Sequence, residues 1–135
     1  MDKDLYEKYK EVQLPIEVVQ MFSDIIVKDE ATRKVLIHIA KHTTDEEEMG
    51  ITIGQLVDRV KLKRKVQKGK TFVVENTNIN RKHAERIVNS LSMMGLCYFR
   101  TLPPTRVINF TIRGKQVAAE IRKRLKEKGE GFNVQ

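Results

Sequence analysis

Apolar residues recur at helical spacing in the segment that follows Asn80. These positions are Ala84, Ile87, Val88, Leu91 and Met94. The i, i+3, i+4, i+7 spacing is typical of one buried face of an α-helix. Asn80 lies where its side chain can accept a hydrogen bond from the first turn, and Gly95 lies where a residue with positive φ ends a helix. The pattern predicts a helix from Arg81 to Met94.

A different pattern, typical of β-strands, follows this helix. Residues 96–101 and 106–111 are rich in aromatic and β-branched side chains, which favour strands. The two prolines of the intervening turn are tolerated there because no ladder N–H is needed. We therefore predict a β-hairpin, with Arg100 and Arg106 flanking its tip.

Helices are also predicted before and after this segment. We expect one over residues 2–12, one from Pro15 with an apolar face formed by Val18, Val19, Phe22, Ile25 and Ile26, and one from about Glu30 to His42 capped by Asp29. Residues 45–48 are acidic, so residues 43–50 are predicted to be an exposed loop. The first two helices carry apolar faces that need a partner, and a second copy of the chain is a good candidate.

The remaining elements are shorter, apart from the last helix. Residues 51–53 predict a β stretch beside the hairpin, and residues 54–60 predict a short helix. The last helix is expected from Thr111, with an apolar face formed by Val117, Ala118, Ile121 and Leu125, and residues 129–135 are expected to be a frayed tail. This face could pack on its own domain or on a second copy.

Between the short helix and Asn80 lies a strongly basic segment, residues 61–78. Its six cations are Lys61, Lys63, Arg64, Lys65, Lys68 and Lys70. Apolar residues alternate with lysines, a glycine follows, and residues 71–75 are β-prone. We interpret the segment as a basic β-hairpin that contacts phosphates. The alternative conformation is a longer helix followed by a loop. The alternative role is that of a mobile solvated loop, which would make no phosphate contacts.

The run GLCYFRTLPPTRVINFTIRGKQVAAEI, with its Phe110-Thr111-x-x-Gly114 step, resembles the second half of a winged helix-turn-helix domain of the MarR/PadR-like type. The resemblance covers roughly residues 29–126. It implies a mainly α fold with a small β-hairpin wing, a winged domain over residues 29–113, an N-terminal helical extension over 1–28 that could dimerise, and a C-terminal helix and tail over 114–135. It also implies that residues 54–60 brace a recognition helix. Such families join these two helices by three or four residues, so the basic insertion 61–78 departs from the pattern.

Composition and charge narrow the function further. The 135 residues are 40% hydrophobic and 33% charged, without an apolar run near 18 residues or a signal-peptide h-region, so we expect one cytoplasmic, nucleoid-associated domain without a membrane span. Residues 1–50 hold 7 Lys/Arg against 12 Asp/Glu, whereas residues 51–135 hold 19 against 6. This asymmetry predicts that the second part binds a polyanion. The single cysteine, Cys97, is interpreted as a packing residue, with a redox switch as the alternative.

The chain contains no arrangement that predicts catalysis, a cofactor or a metal. His38 and His42 have zinc-ligand spacing, but no glutamate follows His38 and no third ligand lies nearby. We therefore predict that the protein is not an enzyme and uses no cofactor.

The prediction for function is sequence-specific binding of double-stranded DNA by a homodimer, as a transcriptional regulator. Alternatives are a plasmid or viral accessory factor acting in partition or replication, and a winged-helix protein-interaction module. RNA binding is disfavoured because stacking aromatics are scarce. The candidate DNA-binding residues are Lys61, Lys63, Arg64, Lys65, Lys68, Lys70, Asn80, Arg81, Lys82, His83, Arg86, Asn89, Arg100 and Arg106.

Overall fold

The computed structural model describes residues 2–43 and 50–128, which form six helices and two antiparallel hairpins. The predicted acidic loop at 44–49 and the tail at 129–135 lie outside these residues. The elements are α1 (Lys3–Tyr9), α2 (Ile16–Val27), α3 (Glu30–Thr43), α4 (Ile53–Arg59), β1 (Lys61–Lys68), β2 (Thr71–Asn78), α5 (Arg81–Met93), β3 (Cys97–Leu102), β4 (Thr105–Phe110) and α6 (Ile112–Glu127). The prediction of helices with a small β-hairpin is confirmed at this level, and a second hairpin is present.

Helix α3 lies at the centre of the hydrophobic core. Its contacts are with α2, α4, α5, α6, β1 and β4. Between residues 35 and 40 it buries five apolar side chains: Val35, Leu36, Ile37, Ile39 and Ala40. Burial of an aliphatic side chain contributes about 1.5–3 kcal/mol, so α3 fixes the positions of the helices around it.

The predicted start of α5 at Arg81 is confirmed, and the helix ends at Met93, one residue before the predicted end. The Asn80 side chain accepts a hydrogen bond from the backbone N–H of His83 at 2.8 Å, which satisfies an N–H that the helix itself cannot. At the other end, Gly95 has a φ of 77°. The inner face consists of Ala84, Ile87, Val88 and Leu91, all buried, so the polar residues of α5 are directed outward.

The hairpin β3–β4 is present as predicted, and each of its strands lies one residue nearer the turn than expected. Its register pairs Cys97 with Phe110 and Leu102 with Thr105. Thr111 leaves the strand because its hydroxyl accepts a hydrogen bond from the N–H of Gly114 at 3.2 Å and caps α6. A Cβ at Gly114 would lie 2.0 Å from the Leu96 carbonyl oxygen, so this close approach requires glycine.

The predicted β stretch at residues 51–53 is too long. Ile51 alone pairs with the hairpin, exchanging two hydrogen bonds with Ile108 at 3.0 and 2.7 Å. Thr52 instead caps α4, because its hydroxyl accepts from the Gln55 N–H at 3.0 Å and the Gln55 side chain accepts from the Thr52 N–H at 2.9 Å. A capping box of this kind commits Ile53 to the helix.

The basic insertion is a β-hairpin, and its alternative, a longer helix, is wrong. We call residues 61–78 the basic arm. Gly69 has a φ of 65° at the first central position of its turn, as type II′ turns require. The base of the arm is fixed to the body: Leu62 is buried, and the Ile79 N–H donates to the Val60 carbonyl at 2.9 Å. Lys34 Nζ also donates to the Lys61 carbonyl at 2.6 Å.

The N-terminal helices pack on the rest of the chain. Helix α2 buries Val19, Ser23 and Ile26 against α3 and α6, and Arg124 pairs with Asp24 at 2.5 Å. Helix α1 lies beside β3, where the rings of Tyr6 and Tyr98 stack with centroids 3.7 Å apart. In the same way, the apolar face of α6 is buried within this chain.

Arg113 joins the N-terminal segment to the end of α5. Its guanidinium donates to the carbonyl oxygens of Tyr9 at 2.8 Å, Val12 at 2.7 Å and Gly95 at 3.0 Å. The side chain is 6% exposed, and buried charges are stable when they are hydrogen-bonded in this way. Within residues 2–43 and 50–128, no helix is both long and apolar enough to cross a membrane.

Candidate nucleic-acid interface

The outward side of α5 carries the cations that the sequence singled out. Arg81, Lys82, Arg86 and Asn89 are exposed, and His83 is half-buried. They face outward because the opposite side of the helix is fully packed in the core. Guanidinium and amide groups can each form paired hydrogen bonds with base edges, so the surface has the chemistry to bind a nucleic acid.

Two of these predicted residues already have partners on α5 itself. Arg81 Nε lies 3.2 Å from Glu85 Oε1, and both side chains are largely exposed. An exposed pair of this kind contributes about 0–1 kcal/mol, so a phosphate can displace Glu85. The Asn80 oxygen is used for the helix cap, and only its NH₂ group remains for a ligand.

A polar groove of about 560 Å³ lies beside α5. It is bounded by α5, by the start of α4 and by the hairpin β3–β4; its lining includes Arg81, Glu85, Asn89, Phe99, Thr105 and Arg106. The Arg106 guanidinium lies 3.9 Å from the centroid of the Phe99 ring, a cation–π arrangement. The structure thus brings one predicted hairpin cation, Arg106, to the same side as α5.

Arg100 and Arg106 project from opposite faces of the hairpin. Arg100 pairs with Val107, and Arg106 pairs with Thr101. Paired residues share a face and successive residues of a strand alternate between faces, so the two arginines lie on opposite faces. Arg100 is half-buried near Asp2 and Lys3, at the start of α1. Both arginines flank the tip as expected, and both line a second cavity of about 560 Å³ with Asp2 and Lys3. Arg106 also lines the groove beside α5, whereas Arg100 does not.

The register of the basic arm divides its six cations. Lys61, Lys63 and Lys65 share one face, Arg64 and Lys68 share the other, and Lys70 is in the turn. The second face contains buried Leu62 and the half-buried residues Val66, Glu75 and Thr77, so it is directed toward the body. We call the first face the outward face of the arm.

Ion pairing differs between these faces. Lys68 Nζ lies 2.5 Å from Glu75 Oε1 on the body-directed face. The outward face contains no acidic residue, and Lys61 donates to the Asn78 side chain at its base. Among the arm's own residues, positive charge without an acidic neighbour is therefore concentrated on its outward face. Near the base, the Glu30 carboxylate of α3, which pairs with Lys34, accepts from the Lys63 backbone N–H at 3.1 Å.

The base of the arm lies close to the start of α5. Asn78 pairs with Lys61 and precedes the helix cap Asn80 by two residues, a separation of at most about 7 Å between Cα atoms. The Asn78 amide also donates to the Val57 carbonyl of α4 at 2.8 Å. The cations at the base of the arm and those of the first turn of α5 therefore lie near each other.

Cys97 is a packing residue, as interpreted from the sequence. It is fully buried, and its thiol donates to the Val88 carbonyl at 3.7 Å. Burial raises the pKa of the Cys97 thiol to about 12, which disfavours the reactive thiolate. The pKa of Tyr98 is also raised to about 12, mainly by burial and secondly by the neighbouring Tyr6.

Two exposed apolar residues of the arm were not predicted from the sequence. Phe72 and Val74 lie on its outward face with 67% and 64% of their surface exposed. The two-residue alternation of β2 places them on one face, whereas strand propensity alone does not distinguish the two faces.

Among residues 2–43 and 50–128, no group of three or more His, Cys, Asp or Glu side chains is arranged to hold a metal ion. Comparison of the chain with models of known families, with curated proteins and with solved structures found no match.

Proposed function

We propose that the protein is a homodimeric, sequence-specific double-stranded DNA-binding protein of the winged helix-turn-helix type that acts as a transcriptional regulator. In this proposal α4 and α5 are the helix pair, α5 is the recognition helix, and the hairpin β3–β4 is the wing. The observation that carries the proposal is the outward, cationic side of α5 next to the groove that contains Arg106.

The proposed contacts follow from side-chain chemistry. Arg86 and Asn89 are on the exposed side of α5 and can bind guanine and adenine edges in the major groove. Lys82 and Arg81 lie in the first turn, where phosphates or bases can be contacted, and His83 is a donor nearby. Arg106 binds near the wing, and Lys61, Lys63 and Lys65 bind phosphates, which fix position without reading sequence.

The basic arm is compatible with this proposal even though it lengthens the connection between the helices. Its eighteen residues leave at Val60 and return at Ile79, which are joined by a 2.9 Å hydrogen bond. The connection therefore starts and ends at one point, as a short turn would. Helices α4 and α5 contact each other directly, as the helix-turn-helix arrangement needs.

Dimerisation is supported by the exposed side of α2. Met21 and Ile25, four residues apart on one side of the helix, are 50% and 59% exposed, although the inner side of the same helix is packed. The apolar face of α6 is used within the chain, so α2 is the better candidate for the contact between copies. Two copies would place their recognition helices about 34 Å apart on a pseudo-palindromic site.

The same exposed residues of α2 favour the second candidate function, a protein-interaction module. A plasmid or viral accessory factor would use the same DNA contacts as a regulator, and fold alone does not separate them.

A salt titration on a random-sequence duplex distinguishes DNA binding from the interaction module. We expect affinity to fall steeply as salt rises, because phosphate contacts release counterions. The paired variant Lys63→Gln/Lys65→Gln removes two outward cations and should flatten the slope of log K against log salt by about 1.8. The charge-matched control Arg64→Gln/Lys68→Gln should change it less. Binding without salt dependence, or none at micromolar protein, would contradict the proposal.

A further inference from the structure

The outward face of the basic arm combines positive charge near its base with apolar side chains near its tip. The register places eight residues on this face: Lys61, Lys63, Lys65, Gln67, Phe72, Val74, Asn76 and Asn78. Phe72 pairs with Gln67, one step from the turn, and Val74 is the next residue on the same side. The face therefore changes from cationic to apolar along its length.

The apolar residues of this face are largely exposed to solvent. Phe72 and Val74 are 67% and 64% exposed, whereas Val73, which points the other way, is 38% exposed. A two-stranded hairpin is only marginally stable in water by itself. The exposed phenyl ring near its tip therefore indicates that a bound partner covers it. The lysines select a polyanion, since the arm's glutamate lies on the opposite face and is paired with Lys68.

A DNA duplex presents both required surfaces, with phosphates outside and flat base pairs within. We infer that the arm crosses the phosphate backbone on its three lysines and inserts Phe72 between base pairs of a minor groove, bending the duplex. The inference rests on the proposed function, because it concerns the DNA that α5 contacts. Apolar wedges between base steps are an established means of bending DNA.

The length of the arm suits this placement. Each strand has eight residues, which span about 26 Å at roughly 3.3 Å per residue. Adjacent major and minor grooves are separated by about half of the 34 Å helical turn, or roughly 17 Å. With its base beside the first turn of α5, the arm is long enough to reach the next minor groove.

The absence of tryptophan from the chain allows a direct test. Phe72→Trp introduces a single tryptophan, whose emission is separable from that of the three tyrosines, at the proposed wedge. Val73→Trp is the matched control on the opposite face. On saturation with a random-sequence duplex, we expect strong quenching by base stacking in the first variant and little in the second. Competition with netropsin, which occupies the minor groove, should reverse the quenching. Equal responses of the two variants, or no response of Phe72→Trp, would overturn the inference.

Bending and affinity provide a second readout without a fluorophore. The protein should increase ligase-catalysed circularisation of a fragment of about 120 bp, which is shorter than the roughly 150-bp persistence length. Phe72→Ala should abolish the increase and lower duplex affinity about fivefold or more, while Val73→Ala retains both. If Phe72→Ala bends and binds like wild type, the wedge is refuted and the proposed function stands. If wild type binds no duplex, both are refuted.

Discussion

Arg113 offers a test of how the N-terminal segment is held to the rest of the fold. Arg113→Met keeps a long apolar stem and removes the three donors to Tyr9, Val12 and Gly95. A hydrogen bond from a charged donor contributes about 1.5–3 kcal/mol. The loss is smaller than the sum over three hydrogen bonds, because two of the three carbonyl acceptors keep another donor.

The remaining donors set the expected magnitude. The Val12 N–H still reaches the Tyr9 carbonyl at 3.0 Å, and the Thr111 hydroxyl still reaches the Gly95 carbonyl at 2.7 Å. The Val12 carbonyl belongs to an exposed residue and can be hydrated. We therefore expect the free energy of unfolding to fall by about 2–4 kcal/mol, which is the loss of one to two such bonds at about 2 kcal/mol each.

Thermal unfolding followed by circular dichroism measures this loss. At about 4 °C per kcal/mol for a chain of this size, Tm should fall by about 8–16 °C. Amides of residues 3–12 should also lose protection from hydrogen exchange in the native state. The control Lys123→Met changes an exposed cation on the same helix and should shift stability by less than about 0.5 kcal/mol. If Arg113→Met melts with this control, the buried guanidinium does not hold the segment.

Three further predictions concern packing, the thiol and assembly. Gly114→Ala puts a Cβ 2.0 Å from a backbone carbonyl oxygen and should destabilise by about 3 kcal/mol or more in urea unfolding; Gly54→Ala, whose Cβ would meet nothing nearer than 3.8 Å, should not destabilise. The pKa of Cys97 is raised from 9.0 to about 12, so native protein should react with a thiol reagent at pH 8 far more slowly than protein in urea. Since the unfolded thiol ionises first, stability should fall as pH rises from 9 towards 12, and less so in Cys97→Ala; equal pH slopes would contradict this. Met21→Glu/Ile25→Glu should convert a dimer to a monomer in light scattering, and an unchanged mass would exclude α2 as the contact.

Elements with strong local determinants were predicted well from the sequence. The cap at Asn80 and the glycine at position 95 bound α5 within one residue, since a cap requires only its own turn. The basic arm was predicted as a hairpin because its alternation and turn glycine are also local. In each case the determining residues lie within one element.

Features that depend on distant parts of the chain were not predicted. Arg113 bonds to carbonyls more than a hundred residues earlier, and no pattern around it indicates burial. Ile51 pairs with the hairpin, but Thr52 is taken by the helix cap, because local capping competes with strand extension. For the candidate interface, the cations are evident from the sequence, whereas the strand register sets which of them share a face.

The outward side of α5 is proposed to read a DNA sequence, and Arg86→Ala tests this proposal most directly. A duplex selected from a random library and an unselected duplex are titrated with both proteins at fixed salt, with folding checked by circular dichroism. We predict that the variant loses about 1–3 kcal/mol, roughly 5- to 150-fold, on the selected duplex and almost nothing on the unselected one. Equal losses on both duplexes, or no loss on either, would contradict the account.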